Sequence, residues 1–244
     1  MKQMRQRADL VLVARGFFAS RARAQAAIAA GLVRVDGAPL GRASQPIAID
    51  AAIEARPAHG WASRGGVKLE AALDYFDLDP MGLDCLDVGA STGGFTDVLL
   101  ARGARRVYAI DVGRGQIEPR LANDKRVIAY EGLDARNAAP ALFEAPPRAI
   151  VCDLSFISLR LVLPHILNLA ARSAWLAALI KPQFEVGRTR LRKGVVKDAG
   201  AMKEACDSIA ECVKGLGWRS LGVIDSPIPG GDGAKEFLIG ARHG

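Results

Sequence analysis

Hydrophobic positions follow helical spacing near the start of the chain and strand spacing directly after it. The run RADLVLVARG places apolar residues at helical intervals and ends at Gly16. Ser20 can cap a second helix, SRARAQAAIAAG, which ends at Gly31. The segment LVRVDGAPL then alternates apolar and polar residues and turns at Asp36-Gly37, a dipeptide typical of tight hairpins. This pattern predicts a small α+β unit made of two helices and a hairpin.

Strand-like and helix-like segments alternate over the rest of the chain, which is typical of a parallel sheet covered by helices on both faces. A stretch rich in Gly and Pro between residues 57 and 66 comes before this part and predicts a linker. We therefore divide the chain into an N-terminal domain (1–58), a linker (59–66) and an α/β domain (67–244). Seven apolar runs predict the strands of its sheet, at residues 84–90, 106–111, 126–131, 148–155, 174–181, 219–226 and 236–242.

The first of these strands runs into a loop of small residues. Its spacing D-x-G-x-x-x-G, from Asp87 to Gly93, differs from the phosphate loop, which needs GKS or GKT, and from the GxGxxG of dinucleotide folds. It resembles instead the S-adenosylmethionine loop of Rossmann-like methyltransferases, although a plain strand–helix turn is the competing interpretation. The residues expected to bind the cofactor in this loop are Asp87, Gly89, Ala90, Ser91, Thr92, Gly93, Gly94 and Phe95.

Two further acidic residues end or follow neighbouring strands at the same predicted edge of the sheet, where folds of this class bind their ligands. Asp111, followed by Val112, ends the second strand, and its carboxylate is placed to accept both ribose hydroxyls of a nucleoside. Asp134 follows the third strand, and we expect it to meet the adenine amino group. These three residues complete the predicted S-adenosylmethionine site.

Four charged residues stand where predicted strands or helices end at this edge. They are Lys68 before the first strand, Asp153 at the end of the fourth, Lys181 at the end of the fifth and Glu236 at the start of the last. Singly, each is most simply a surface charge, but their order Lys–Asp–Lys–Glu resembles that of the FtsJ-like ribose 2′-O-methyltransferases. A ribose hydroxyl is a very poor acid, so methyl transfer to it needs a base, and we expect Lys181 to be that base. Two carboxylates, Asp153 and Glu236, are expected to orient it, and Lys68 to steer the hydroxyl.

The same positions disfavour other methyl acceptors. Base N-methyltransferases of this fold carry [DN]PP[YF] after the fourth strand, where this chain has Asp153-Leu154-Ser155-Phe156. A cytosine-C5 enzyme needs a nucleophilic thiolate, but strand alternation turns Cys152 away from the face that Asp153 uses, so we expect a structural role for this thiol. The four cysteines form no CxxC pair and the three histidines lack the spacing of metal ligands. We therefore predict a reduced, cytoplasmic protein without a metal site.

Charge adds a possible partner for the N-terminal domain. The net charge is +7, and residues 1–66 hold ten Lys and Arg against four Asp and Glu, so most of the excess lies in the first quarter of the chain. Basic residues that face phosphates give sequence-independent affinity for nucleic acid, although a solvated surface accounts for such a charge equally well. A second basic stretch, residues 185–197, follows Lys181 and is either a solvated lid or an RNA contact, of which we favour the contact.

Longer strings along the whole chain resemble one family. Residues 9–37 are similar to the S4 RNA-binding module, and Trp61-Ala62-Ser63-Arg64-Gly65 is similar to the junction that joins S4 to an FtsJ-like domain in the TlyA family. The strings LDVGASTGGFTDVLL, DVGRGQ, DLSFISL, KPQFEVG and GAKEFL continue the resemblance almost to the C-terminus. Proteins that resemble TlyA use S-adenosylmethionine to methylate the 2′-hydroxyl of cytidine in ribosomal RNA, and some are also called haemolysins.

The resemblance implies a seven-stranded, mostly parallel sheet in the larger domain and ribosomal RNA within ribosomal subunits as the partner. We expect the target cytidine to leave its stack in order to reach the catalytic residues. Two alternatives stay open, a membrane-active haemolysin and a non-catalytic RNA-binding protein, although no apolar run is long enough to span a bilayer. The residues expected to contact RNA are Arg7, Arg15, Arg21, Arg23, Arg34, Arg42 and Arg64.

Overall fold

The computed structural model describes residues 4–18 and 20–244, which fall into two compact units. The first unit is Met1–Ser63 and the second is Arg64–Gly244. Each unit has its own hydrophobic core. The helices of the described chain are all too short or too polar to cross a bilayer, since even the longest has only 17 residues.

The described residues of the first unit form two helices and five short strands. Its helices pack over a core that includes Leu12, Ile28, Val33 and Ile47. Strands β1 and β4 pair antiparallel, and β2 lies between β3 and β5 in a second small sheet. The elements are β1 (Arg5–Arg7), α1 (Ala8–Ala14), α2 (Arg21–Ala29), β2 (Val33–Val35), β3 (Ala38–Pro39), β4 (Pro46–Ala48) and β5 (Ile53–Ala55).

Local signals explain most of this unit. Ser20 caps α2, because its hydroxyl accepts a hydrogen bond from the backbone N–H of Arg23 at 3.4 Å. Asp36 and Gly37 both have positive φ, +50° and +75°, which is the backbone of the two-residue hairpin turn that the sequence predicts. Strand β1 was not predicted, because its residues Arg5–Arg7 are all exposed and leave no apolar alternation to detect.

The second unit is an α/β fold around one seven-stranded sheet, as predicted. The strand order is β11-β12-β10-β9-β6-β7-β8, and only β12 runs antiparallel to its neighbours. The strands are β6 (Asp84–Val88), β7 (Arg106–Asp111), β8 (Val127–Glu131), β9 (Ala149–Cys152), β10 (Trp175–Ile180), β11 (Arg219–Asp225) and β12 (Phe237–Arg242). The helices are α3 (Gly65–Phe76), α4 (Gly94–Ala101), α5 (Pro119–Ala122), α6 (Leu159–Asn168), α7 (Pro182–Glu185) and α8 (Ala199–Gly215).

Helices cover both faces of the sheet. Helices α3 and α4 pack on one face, where the ring of Phe76 sits directly over Gly240 and leaves no room for a side chain at that glycine. Helices α6 and α8 pack on the other face, over a core that includes Leu86, Ile150 and Leu176. Strands buried on both faces need continuous apolar runs, which is why β9 and β10 were detectable in the sequence.

The predicted boundaries differ from the observed ones at functionally important points. The first and fourth strands end at Val88 and Cys152, two and three residues earlier than predicted, because the chain leaves the sheet there to form loops at its carboxyl edge. Helix α4 begins at Gly94 rather than near Thr96. Helix α3 begins at Gly65, so the end of the predicted linker is helical.

Candidate active site

A cavity of about 540 Å³ opens at the carboxyl ends of β6, β7, β8 and β9. This is the edge at which sheets of this kind bind ligands, and the volume suits a small molecule. Six residues singled out from the sequence line it: Gly89, Ser91, Asp111, Val112, Asp134 and Asp153. Its other lining residues are Val88, Ile110, Gly113, Gln116, Leu133, Ala135, Leu154, Ser155, Phe156, Ile157 and Val162.

Gly89 is required where β6 meets the loop after β9. Its φ is +84°, and a Cβ atom at this position would lie 2.5 Å from the carbonyl oxygen of Asp153. The absence of a side chain therefore lets the two strand ends approach each other. A hydrogen bond from the backbone N–H of Asp153 to the carbonyl of Val88, 3.0 Å long, holds them together.

Asp111 organises the loops on both sides of the cavity. Its Oδ2 accepts a hydrogen bond from the backbone N–H of Ser91 at 2.8 Å, and its Oδ1 accepts one from Gly113 at 2.7 Å. The hydroxyl of Ser91 in turn donates to the side-chain carbonyl of Gln116 at 3.1 Å. Each carboxylate oxygen of Asp111 has a further lone pair, so it can still accept from a ligand hydroxyl.

The loop after β7, residues 112–118, is held by a carboxylate that the sequence analysis missed. Glu131 accepts hydrogen bonds from the backbone N–H groups of Gly115 at 2.7 Å and Gln116 at 3.0 Å. These two bonds are the main reason why the pKa of Glu131 lies below its usual value. Glu131 ends β8, and a strand-terminal acid beside a Gly-rich loop was the signal available in the sequence.

Asp87, which we expected in the cofactor site, is not among the residues that line the cavity. It is fully buried in β6, and its Oδ2 accepts a hydrogen bond from the hydroxyl of Thr96 at 2.6 Å. Burial raises its pKa to about 7, against the opposing effect of the Thr96 bond. Its Oδ1 has no hydrogen-bond partner among the residues that the structure describes. Asp87 therefore anchors α4 behind the loop.

Five other residues of the predicted cofactor loop are also absent from the cavity wall: Ala90, Thr92, Gly93, Gly94 and Phe95. Phe95 is buried, and Gly93 packs so closely on Leu121 that a Cβ atom would lie 2.4 Å from that side chain. Glycines of this segment thus serve packing and the tight entry into α4. Only Gly89 and Ser91 of the loop face the cavity.

Asp134 lines the cavity but has a close protein partner. Its carboxylate receives a two-pronged contact from the guanidinium of Arg136, with Nη2 2.5 Å from Oδ2 and Nε 3.0 Å from Oδ1. This contact is the main cause of its pKa falling to about 2. Asp134 is therefore ionised at neutral pH and available to accept a hydrogen bond through its remaining lone pairs.

The four predicted catalytic residues form two ion pairs. The Nζ of Lys68 lies 2.5 Å from Oε2 of Glu236, with both side chains buried, and the Nζ of Lys181 lies 2.6 Å from Oδ1 of Asp153. The register of β10 with β12 pairs Ile180 with Phe237, so the next position pairs Lys181 with Glu236. The two ion pairs therefore stand side by side at the sheet edge.

The pairing differs from the expected one in a single respect. Glu236 was predicted to orient Lys181, but its carboxylate binds Lys68 instead. Lys181 is oriented instead by the loop after β9, because its Nζ donates a hydrogen bond to the hydroxyl of Ser155 at 2.8 Å. Its Nζ also forms an ion pair with Oδ1 of Asp153, a buried oxygen that has no hydrogen bond among the described residues.

Gly230 lies close to this pair. A Cβ atom at Gly230 would lie 2.0 Å from Oε1 of Glu236, so a side chain there would displace that carboxylate. Cys152 is fully buried in the sheet core, where burial raises its pKa well above the usual range. An inert thiol at this position is consistent with a structural role.

In the described chain, His, Cys, Asp and Glu side chains form no group of three or more with the arrangement of a metal site.

The arginines predicted to bind RNA belong mostly to the first unit, and the structure divides them into two kinds. Arg7 and Arg21 each form an ion pair with Asp9, with both Nη2 atoms 2.9 Å from Oδ2. Asp9 is completely buried, and the guanidinium of Arg7 is the main cause of its pKa lying below the usual range. These two arginines therefore also hold the unit together, while their side chains stay about half exposed.

The other predicted arginines differ in their contacts and in their exposure. Arg15 donates to the carbonyl of Ala51 at 2.6 Å, and Arg34 donates to that of Gly37 at 2.5 Å. Arg42 is exposed. Arg23, by contrast, is partly buried in α2, and Arg64 is exposed directly before α3 in the second unit.

Phe156 is a further feature that sequence analysis missed. Its side chain is 92% exposed, it lines the cavity, and its φ of +67° is unusual for an aromatic residue. The ring of Phe184 packs beside it, with 5.2 Å between the centroids. Its position three residues beyond Asp153, in the loop that follows the fourth strand, was the only signal.

Comparisons with known proteins agree with this architecture. The family described as FtsJ-like methyltransferase matches residues 61–243, and the S4 domain matches residues 6–53. The chain is 42% identical to the 16S/23S rRNA (cytidine-2′-O)-methyltransferase TlyA of Mycobacterium tuberculosis over 98% of this chain and 90% of that protein. It is 36% identical to Hemolysin A of Brachyspira hyodysenteriae over 95% of this chain and 98% of that protein.

A solved structure is similar in fold to the whole chain. A Streptococcus thermophilus protein that carries the name hemolysin superposes with a TM-score of 0.79 and 35% identity, covering 99% of this chain and 89% of the other. The similarity therefore extends over both units rather than over the sheet alone. With an S4 domain ahead of an FtsJ-like methyltransferase domain, the protein belongs to the TlyA family of methyltransferases.

Proposed function

We propose that this protein transfers a methyl group from S-adenosylmethionine to the ribose 2′-hydroxyl of cytidine in ribosomal RNA. The observation that carries the proposal is the pair of ion pairs, Lys68 with Glu236 and Lys181 with Asp153, beside the cavity. An alkyl transfer to a poorly acidic hydroxyl needs groups that position and deprotonate it, and this cluster supplies both. The name of the Mycobacterium tuberculosis relative supports the choice of cytidine.

The cavity fits the nucleoside part of such a cofactor. Gly89 leaves the space at the end of β6 open, Asp111 offers lone pairs to ribose hydroxyls, and the ionised Asp134 offers lone pairs to an amino group. The apolar side chains of Ile110 and Leu133 line the wall between them, as a purine ring requires. When bound, S-adenosylmethionine supplies an electrophilic methyl group on a sulfonium centre.

Lys181 is the proposed proton acceptor. Its Nζ is fixed by the hydroxyl of Ser155 and by the carboxylate of Asp153, so the amine is held in one place without side-chain freedom. The amine takes the hydroxyl proton through the lone pair of its neutral form. Lys68 stands in the neighbouring ion pair, where the buried carboxylate of Glu236 fixes its ammonium group.

Phe156 supports an unstacked nucleotide as the methyl acceptor. A single strand or a flipped base is held mainly by stacking on aromatic rings, and this ring lies at the cavity with nearly all its surface exposed. A base placed on Phe156 would bring its own ribose toward the Lys181 cluster, because Ser155, the residue before it, already contacts Lys181. This geometry favours ribose as the acceptor.

The N-terminal domain, residues 1–58, is proposed to dock the substrate. Exposed arginines such as Arg15, Arg34 and Arg42 would contact phosphates, which position an RNA without reading its sequence. Target choice then follows from RNA shape and from the nucleotide that reaches the cavity. A ribosomal RNA substrate supports the cytoplasmic location that we propose.

The test is transfer of labelled methyl groups from S-adenosylmethionine to ribosomal subunits that lack the modification. Wild type should label RNA, and Lys181→Ala should lose at least about a hundredfold in rate, the usual contribution of a general base. Lys203→Ala, which removes an exposed lysine from α8, is the matched control and should label RNA normally. Binding of S-adenosylhomocysteine, measured by calorimetry, should be equal in all three proteins.

Two results would count against the proposal. Unlabelled RNA after incubation with wild type would remove the enzymatic function. Full transfer by Lys181→Ala would leave the function standing but would show that another group accepts the proton.

A further inference from the structure

We infer that residues 188–197, the basic hairpin, form a second RNA-contact surface on the methyltransferase unit, which grips the phosphates of the strand that enters the active site. This inference rests on the proposed function, because it assumes that RNA is the substrate. It concerns a different surface from the arginines of the first unit. Its residues lie between α7 and α8.

Charge is the first observation. The segment carries five cations and no carboxylate: Arg188, Arg190, Arg192, Lys193 and Lys197. Arg190 is occupied, since its guanidinium pairs with Glu204 of α8. The other four are exposed and form no ion pair with any residue that the structure describes. Unneutralised charge of one sign within ten residues is a site for a polyanion.

Shape is the second observation. Arg192 and Val195 exchange backbone hydrogen bonds of 2.9 and 3.2 Å, and the turn between them has φ values of +51° at Lys193 and +82° at Gly194. Two consecutive positive φ values define a tight hairpin turn. Val196, which follows Val195 in the chain, is buried and fixes the base of the hairpin to the unit. The cations are therefore presented on a fixed turn, which costs less entropy on binding than a flexible tail.

The position of the hairpin links it to the active site. Only α7 separates it from Lys181, and the Phe184 ring of α7 packs on Phe156 at the cavity. Glu185, at the end of α7, accepts a hydrogen bond from the backbone N–H of Leu159 at 2.8 Å and one from the hydroxyl of Ser158. The start of the segment is thereby fixed beside the cavity wall, where the strand that carries the target nucleotide would pass.

The chemistry favours RNA over an acidic membrane surface. Membrane-binding segments combine basic residues with exposed large apolar side chains that enter the lipid. In this hairpin Val196 is buried, and Leu191 and Val195 are half-buried, so none is available as a lipid anchor. A purely cationic surface matches phosphates along a nucleic acid backbone.

The experiment compares Arg192→Gln with Lys193→Gln as a double variant against Lys214→Gln with Arg219→Gln. The control pair removes the same charge from exposed residues at the amino end of β11 and the adjoining end of α8. Binding of ribosomal subunits is measured at several salt concentrations, together with KM and kcat for methyl transfer and calorimetric affinity for S-adenosylhomocysteine. The hairpin variant should bind subunits about tenfold more weakly, with a salt slope lower by about one to two. Its kcat and its affinity for S-adenosylhomocysteine should equal those of wild type.

Three outcomes would overturn the inference. The hairpin variant could match wild type in affinity and salt slope, or the control pair could lose as much affinity as the hairpin pair. Binding of wild type and of the hairpin variant to phosphatidylserine vesicles is measured as well. If the variant bound subunits as wild type does but bound the vesicles more weakly, the surface would be assigned to lipid. Failure of wild type itself to methylate subunits would instead refute the proposed function, so the two failures are distinguishable.

Discussion

The ammonium group of Lys68 lies 2.5 Å from the carboxylate of Glu236, although 168 residues separate them in the chain. Lys68 belongs to α3 at the start of the methyltransferase unit, and Glu236 comes directly before its last strand, β12. Both side chains are more than 90% buried. The contact therefore joins the first helix of the unit to the start of its last strand, beside the other predicted catalytic residues.

Breaking this pair on one side should cost more stability than removing both charges. Lys68→Met leaves the Glu236 carboxylate buried without its cation, which typically costs ~3–5 kcal/mol of unfolding free energy. The double variant Lys68→Met with Glu236→Gln should recover most of that loss, because no buried charge remains. Urea unfolding followed by tryptophan fluorescence measures both. Equal losses in the single and double variants would show that the ion pair is not the source of the effect.

Asp87 should make stability depend on pH in a characteristic direction. Its folded pKa of about 7 lies above the unfolded value of ~3.9, so the folded state retains a proton that the unfolded state releases. The free energy of unfolding should therefore fall as pH rises from about 4 to about 7, and this contribution should level off above pH 7. Asp87→Asn resembles the protonated acid and should weaken this dependence. Thermal unfolding of both proteins between pH 5 and 8 checks it, and parallel curves would contradict the prediction.

Glu131 should control cofactor affinity through the 112–118 loop. Glu131→Ala removes the acceptor of the Gly115 and Gln116 backbone N–H groups, so Gln116 loses its fixed position on the cavity wall. We expect S-adenosylhomocysteine to bind roughly tenfold more weakly, about 1.4 kcal/mol, with partial rescue by Glu131→Gln. Calorimetry measures this. Glu144→Gln, an exposed acid paired with Arg106, is the control, and an equal loss there would refute a specific role for Glu131.

The arginines of the first unit should separate into structural and binding residues. Arg21→Ala withdraws a partner from the buried Asp9 carboxylate and should destabilise this unit by ~1–3 kcal/mol as well as weaken RNA binding. Arg42→Ala, at an exposed position, should weaken subunit binding and lower its salt slope without changing stability. Thermal unfolding and filter binding measure the two properties. If Arg21→Ala left stability unchanged, Asp9 would not depend on it.

Elements of this fold were predictable where the signal is local. Strand β10, for example, is a continuous apolar run, and the cap at Ser20 and the turn at Asp36-Gly37 depend on a few adjacent residues. The position of Asp111 and Asp153 at the carboxyl edge of the sheet was also predictable, because parallel strands end together. These inferences need only periodicity and the geometry of parallel sheets.

Pairings between distant residues were not predictable in the same way. Glu236 could bind either lysine as far as sequence shows, and the choice of Lys68 depends on where α3 packs against β12. The complete burial of Asp87 and its hydrogen bond to Thr96 depend on how α4 packs on the sheet, which the sequence does not show. Phe156 is exposed because of the path of its loop, which an apolar residue type gives no reason to expect.

The most direct test of the account is nucleoside mass spectrometry of ribosomal RNA after incubation of subunits with S-adenosylmethionine and the protein. Wild type should produce 2′-O-methylcytidine, and Lys181→Ala should produce none above background while it still binds S-adenosylhomocysteine. A methyl group on a base, or methylated cytidine at wild-type level from Lys181→Ala, would contradict the assignment of the Lys181–Asp153 and Lys68–Glu236 pairs to ribose methylation.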